Sequence, residues 1–81
     1  MCDELKSYLK EDLIPFVESA REAFAQNGDE KRVADLTELL ESFYEMIEDI
    51  DSGIMEMWEC GELYDEFRRY RESGDFLDKI S

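Results

Sequence analysis

VADLTELLESFYEMIEDI, residues 33–50, decides the fold. Val33, Leu36, Leu40, Phe43, Ile47 and Ile50 recur three and four residues apart, the spacing that puts side chains on one face of a helix and requires that face to be buried. Asp35, Glu38, Glu41, Glu45, Glu48 and Asp49 fall on the opposite face. The segment therefore reads as an amphipathic helix with one apolar and one strongly acidic side.

Upstream, Leu5, Leu9, Leu13, Phe16, Ala20, Ala23 and Phe24 carry the same helical period. Pro15 interrupts it, since proline offers no N–H to the carbonyl of Glu11 and biases Ile14 away from helical geometry. A kinked or broken first helix is expected, restarting near Pro15. Asn27 and Gly28 supply a stop, and Asp29 is the expected N-cap of the second helix. Downstream, Gly53 suits a left-handed cap, and Asp51 or Ser52 is placed to cap a third helix beginning near Ile54. That helix carries Met57, Cys60, Tyr64 and Phe67 on one seam, with Arg68, Arg69 and Arg71 complementing the negative end of its dipole. A last helical turn offers Phe76, Leu77 and Ile80 to close the core. The expectation is all-α: a small antiparallel three-helix bundle with a kinked or broken first helix and a short C-terminal helical turn, one acidic helical domain over 1–81.

Composition bounds what such a domain can be. Its 81 residues are 43% hydrophobic with a net charge of −14; a chain of that length buries roughly 60 to 65% of the surface its unfolded form exposes. No apolar run is long enough to span a bilayer, and the start MCDEL lacks the basic and apolar parts of a signal peptide. A soluble, cytoplasmic protein is expected. Cys2 and Cys60 form no CxxC pair and no histidine is present, so both are expected as reduced thiols, with neither a zinc site nor a disulfide scaffold.

Charge is uneven. From Val33 to Phe67 there are twelve Asp and Glu and no Lys, Arg or His, a distribution that repels anionic membranes and nucleic acid and favours a basic surface. Nucleophilic catalysis by Ser or Cys has no histidine to serve it, and no glycine-rich phosphate loop exists. DIDSG is not a calcium loop, because counting from Asp49 the sixth position is Ile54 and the twelfth Cys60. No catalytic residue, metal ligand or cofactor is assigned. An excess of Glu over Asp, fourteen to nine, is not the balance expected of a halophile.

Two resemblances bear on function. Glu38 and Glu41 form ExxE and Glu62 and Asp65 form ExxD, which resembles the ExxE…ExxD signature of the all-α nucleotide pyrophosphatases of the MazG type and implies four acids holding Mg²⁺ against a triphosphate. The match covers four residues, ExxE recurs at Glu45/Glu48, Glu56/Glu59 and Glu59/Glu62, and the acids fall opposite the apolar seams instead of between helices. The alternative reads the acids as a surface. Like charges three or four residues apart each oppose helix formation by roughly 0.2 to 0.5 kcal/mol, so something beyond monomer stability favours the row. Spread over two adjacent helices, the twelve acids approach about one charge per 2.3 Å, against about one per 1.7 Å for duplex DNA. In this the chain looks like the small acidic inhibitors made by phages, including anti-CRISPR proteins and other DNA mimics.

The expected function is thus a non-enzymatic interaction protein, with Glu38, Glu41, Glu45, Glu48, Glu59, Glu62 and Glu66 occluding the groove of a basic, nucleic-acid-binding protein, and with no direct contact to nucleic acid or membrane. An immunity or antitoxin role against a basic toxin uses the same electrostatics. Trp58 is expected buried; should it stand instead among Glu56, Glu59 and Glu62, with Met55 beside it, it becomes an apolar anchor for the partner. A monomer or a homodimer fits this reading.

Overall fold

The computed structural model describes residues 1–80, the side chains through Asp78. It is all-α, with helices α1 (Cys2–Tyr8), α2 (Ile14–Gln26), α3 (Glu30–Asp51), α4 (Met57–Ser73) and α5 (Phe76–Ile80), and no strand among the described residues. The interruption of the first helix takes the form of a π turn, Leu9–Leu13, between α1 and α2. Leu13 and Ile14 keep right-handed helical dihedrals, and the Ile14 N–H reaches back five residues to the Leu9 carbonyl. The π turn widens the helix just ahead of Pro15, so the chain passes the proline without leaving helical conformation.

The extra residue rotates everything after it by about 100°. Leu5, Leu9 and Leu13 are buried as their spacing demands, but the next fully buried place falls to Val17, with Ile14 beside it. Phe16 is only partly buried and Ala23 is exposed. The rotation also divides the helix between two partners: α1 packs along α4, and α2 packs along α3. Pairings Lys6–Asp51 and Arg21–Thr37 run antiparallel along α3, whereas Cys2–Cys60, Tyr8–Tyr64 and Asp12–Arg71 run parallel along α4. This is the up-down-up order of a three-helix bundle.

Local chemistry sets the boundaries. Asp29 caps α3, its carboxylate accepting from the Arg32 N–H at 3.2 Å, and Gly28 and Gly53 end α2 and α3 at φ of 75° and 77°, where a side chain is disfavoured. The second loop differs from expectation. Asp51 belongs to the last turn of α3 and pairs with Lys6, so neither it nor Ser52 caps α4, which begins at Met57 behind an extended Glu56. Ile54 is consequently a loop residue.

Leu36, Leu40 and Phe43 of α3 share one core with Cys60 and Phe67 of α4, and the Phe43 and Phe67 rings meet at 5.7 Å. Phe76 fills the remaining gap, its ring 5.9 to 6.3 Å from those of Phe16, Phe43 and Phe67. The part expected of Ile80 lies outside the described side chains. Two corrections follow. Met57 is not on the α4 seam: it is 71% exposed. Cys2 and Cys60 are not free thiols; they form a disulfide with Cα atoms 5.1 Å apart, because the parallel packing of α1 on α4 brings the two helix starts together. The C-terminal arginines also serve tertiary packing. Arg71 donates to Asp12 at 3.0 Å and lies 3.8 Å over the Phe16 ring, while Arg68 pairs with Glu72 and covers Tyr64.

Two stability measurements test this account. A bridge across 58 residues of sequence restrains the unfolded chain strongly, so Cys2→Ser with Cys60→Ser is expected to lower unfolding free energy by about 2 to 4 kcal/mol in denaturant titration, with helical circular dichroism retained. Gly61 stands inside α4, where an added Cβ would meet only Met1 side-chain atoms at 3.8 to 4.0 Å, ordinary contact. Gly61→Ala is therefore expected to stabilise by about 0.5 to 1 kcal/mol, read as a raised melting temperature; a lowered one would mean that the start of α4 packs differently against Met1.

Candidate functional site

The acidic residues of α3 form the stripe that their spacing demands. Glu38, Glu41, Glu45 and Glu48 are all exposed, on the side away from Leu36, Leu40 and Phe43. None of the four makes an ion pair among the described residues, where the ion pairs of the fold use Asp12, Asp35, Asp51 and Glu72 instead. At a rise of about 1.5 Å per residue the four charges span about 15 Å, or about one per 5 Å. That is nearer the spacing of a single nucleic-acid strand, about 3.4 Å per phosphate, than that of a duplex.

On α4 the acids divide. Glu62 and Asp65 are exposed, whereas Glu59 and Glu66, seven residues apart and so on one flank of the helix, are half-buried. Glu66 accepts from the Tyr70 hydroxyl at 2.9 Å, and this bond, with some desolvation, raises the tyrosine pKa above its ordinary value. The single sheet of twelve carboxylates across two helices is thus not formed. Only the α3 stripe and the outer acids of α4 face solvent freely, because the flank of α4 that carries Glu59 and Glu66 also carries the partly buried Leu63 and Tyr70.

The four carboxylates of the ExxE and ExxD pairs, Glu38, Glu41, Glu62 and Asp65, all stand exposed, and among the described residues no group of three or more Asp, Glu, Cys or His side chains is placed to hold a metal ion. One shallow surface concavity is lined by Asp65, Arg68, Arg69 and Glu72 of α4.

Trp58 is 62% exposed, which overturns its expected burial. Met55 packs against the core in its place, and the Trp58 indole N–H donates to the Glu56 carboxylate. Ile54 and Met57 are likewise exposed beside it. Ile54, Met55, Met57 and Trp58 are more apolar side chains than one helix face can bury, and which of them is left out depends on where α4 begins.

No protein family, curated protein or solved structure matches the chain. No helix of the described residues is long and apolar enough to cross a membrane.

The unpaired stripe has a direct consequence for stability. Screening weakens repulsion between exposed like charges, so raising salt from about 20 to about 500 mM is expected to lift the melting temperature, on the order of 5 °C. A melting temperature independent of salt would mean that the carboxylates do not repel one another appreciably.

Proposed function

We propose that this protein is a non-enzymatic inhibitor of the acidic, phage-type class, which lays the α3 stripe into the basic groove of a nucleic-acid-binding protein and excludes the nucleic acid. The observation that supports this reading is the stripe itself: Glu38, Glu41, Glu45 and Glu48 are exposed in a row, and among the described residues no cation pairs with them. Four carboxylates held on a rigid helix displace the counterions of a phosphate-binding groove without the entropy loss of ordering a flexible chain. Glu62 extends the charge onto α4, and Glu59 and Glu66 contribute to its field from half-buried positions. Trp58, exposed among Glu56, Glu59 and Glu62, anchors the complex. Neutralisation of a basic toxin would use the same surface.

The reading keeps a cytoplasmic setting, where cellular thiols oppose the Cys2–Cys60 bridge. Cys60 is completely buried and Cys2 half-buried, which limits access to both sulfurs.

Capture from a lysate of the cells that carry the gene, at low salt, identifies the partner; a displacement assay with labelled DNA or RNA then tests the mechanism. The protein is expected to release nucleic acid from its partner while binding none itself, with an affinity that falls steeply between about 50 and 200 mM salt. Glu45→Lys with Glu48→Lys is expected to preserve folding and to weaken displacement at least about tenfold, through repulsion at the basic groove. Unchanged displacement and salt slope in this double variant, or tight direct binding to nucleic acid, would refute occlusion by the stripe.

A further inference from the structure

The end of the molecule where α3 passes to α4 carries three exposed apolar side chains. Ile54 is 69%, Met57 71% and Trp58 62% exposed, within five residues of sequence. This tip is held in place from several directions. The Ile54 N–H donates to the Asp49 carbonyl at 3.0 Å, tying the loop to the end of α3. The Cys2–Cys60 bridge fastens the first turn of α4 to the start of α1. The indole of Trp58 is oriented by its bond to Glu56. The nearest charges on α4 and its approach are acidic: Glu62 lies one turn beyond Trp58 on the same side of α4, and Glu56 and Glu59 flank it, while Lys6, brought to this end by α1, is engaged by Asp51.

We propose that this tip receives a basic amphipathic helix of the partner, whose apolar face packs on Ile54, Met57 and Trp58 and whose Lys and Arg meet Glu56, Glu59 and Glu62. The inference rests on the reading of the protein as a binder of basic proteins, and names the element recognised. An unbranched, polarizable methionine beside a tryptophan adapts to varied apolar faces, and apolar anchors laid along a helix with flanking charge are a recurrent mode of recognition. A second copy of the chain fits poorly. Dimerisation through the tip would bring two acidic rims together, whereas a basic helix meets the same rim with opposite charge. An anionic lipid surface is opposed by the same rim.

Trp58 is the sole tryptophan, so its emission reports burial of the tip directly. The oxidised protein is titrated with a Leu/Lys peptide patterned as an amphipathic helix, and with a scrambled peptide of identical composition. The patterned peptide is expected to shift Trp58 emission to the blue and to bind at least tenfold more tightly than the scrambled one, with the preference surviving high salt. Ile54→Ser with Met57→Ser, both exposed and leaving the reporter intact, is expected to abolish that preference while helical circular dichroism is unchanged. Glu45→Lys with Glu48→Lys, which tests the α3 stripe, is expected to leave the emission shift in place, so failure of the stripe and failure of the tip are separable. Equal affinity for both peptides, or binding without movement of Trp58 emission, would overturn the proposal. So would a blue shift produced by raising protein concentration alone, or by anionic vesicles, since each would assign the tip to another occupant.

Discussion

Pro15 withholds the one amide that the carbonyl of Glu11 would need in an α-helix, and the chain passes that gap through a π turn instead of a break. The remaining architecture depends on this detail. A straight α-helix presents one continuous stripe to its neighbours; a helix with one extra residue in a turn presents two, rotated by about 100°. The first half faces α4 and the second faces α3, so a single long helix serves as the spine for both. Leu13, Ile14 and Val17 are buried together at the changeover.

With α3 and α4 each fastened mainly to the spine, the core between them is closed by aromatic rings. Phe43 and Phe67 meet at 5.7 Å, and Phe76 from the last helix fits against both. Edge-on and tilted ring contacts of this kind add to the burial of apolar area. The disulfide acts at the other end, where α1 and α4 start side by side. The short α4 is therefore held at its beginning by a covalent bond and toward its end by Phe67, Phe76 and the Arg71–Asp12 pair. A domain of this size has a limited core, and such paired restraints explain how it carries a charged surface that works against folding.

The same arrangement shapes the surface. Because the apolar side of α3 is taken up by the core, Glu38, Glu41, Glu45 and Glu48 are left to solvent, and their stripe runs toward the loop that bears Ile54. Fastening α4 from Cys60 onward leaves its first residues, Met57 and Trp58, beyond the packed part of the helix. Charge and apolar tip thus lie in succession along the molecule, each exposed by what the core does not use.

Much of the architecture is legible in residue spacing alone. The period of Val33 to Ile50 specifies α3 and its acidic back, Asp29 and Gly28 mark its start, and the run of Leu5, Leu9 and Leu13 gives the face of α1, because helical periodicity and capping are local properties. Where a residue's fate depends on a distant partner, local pattern is not enough. Phe16 and Val17 exchange roles through the π turn, and Glu59 and Glu66 are drawn to a half-buried flank. Trp58 and Met57 fall outside because α4 begins three residues later than their spacing suggests. Cys2 and Cys60 meet only because α1 and α4 pack in parallel, and a separation of 58 residues carries no trace of that in the sequence. Helical phase follows from the order of side chains along a few turns; which phase faces the core, and which cysteine faces which, is decided by the packing of helices that are remote in the chain.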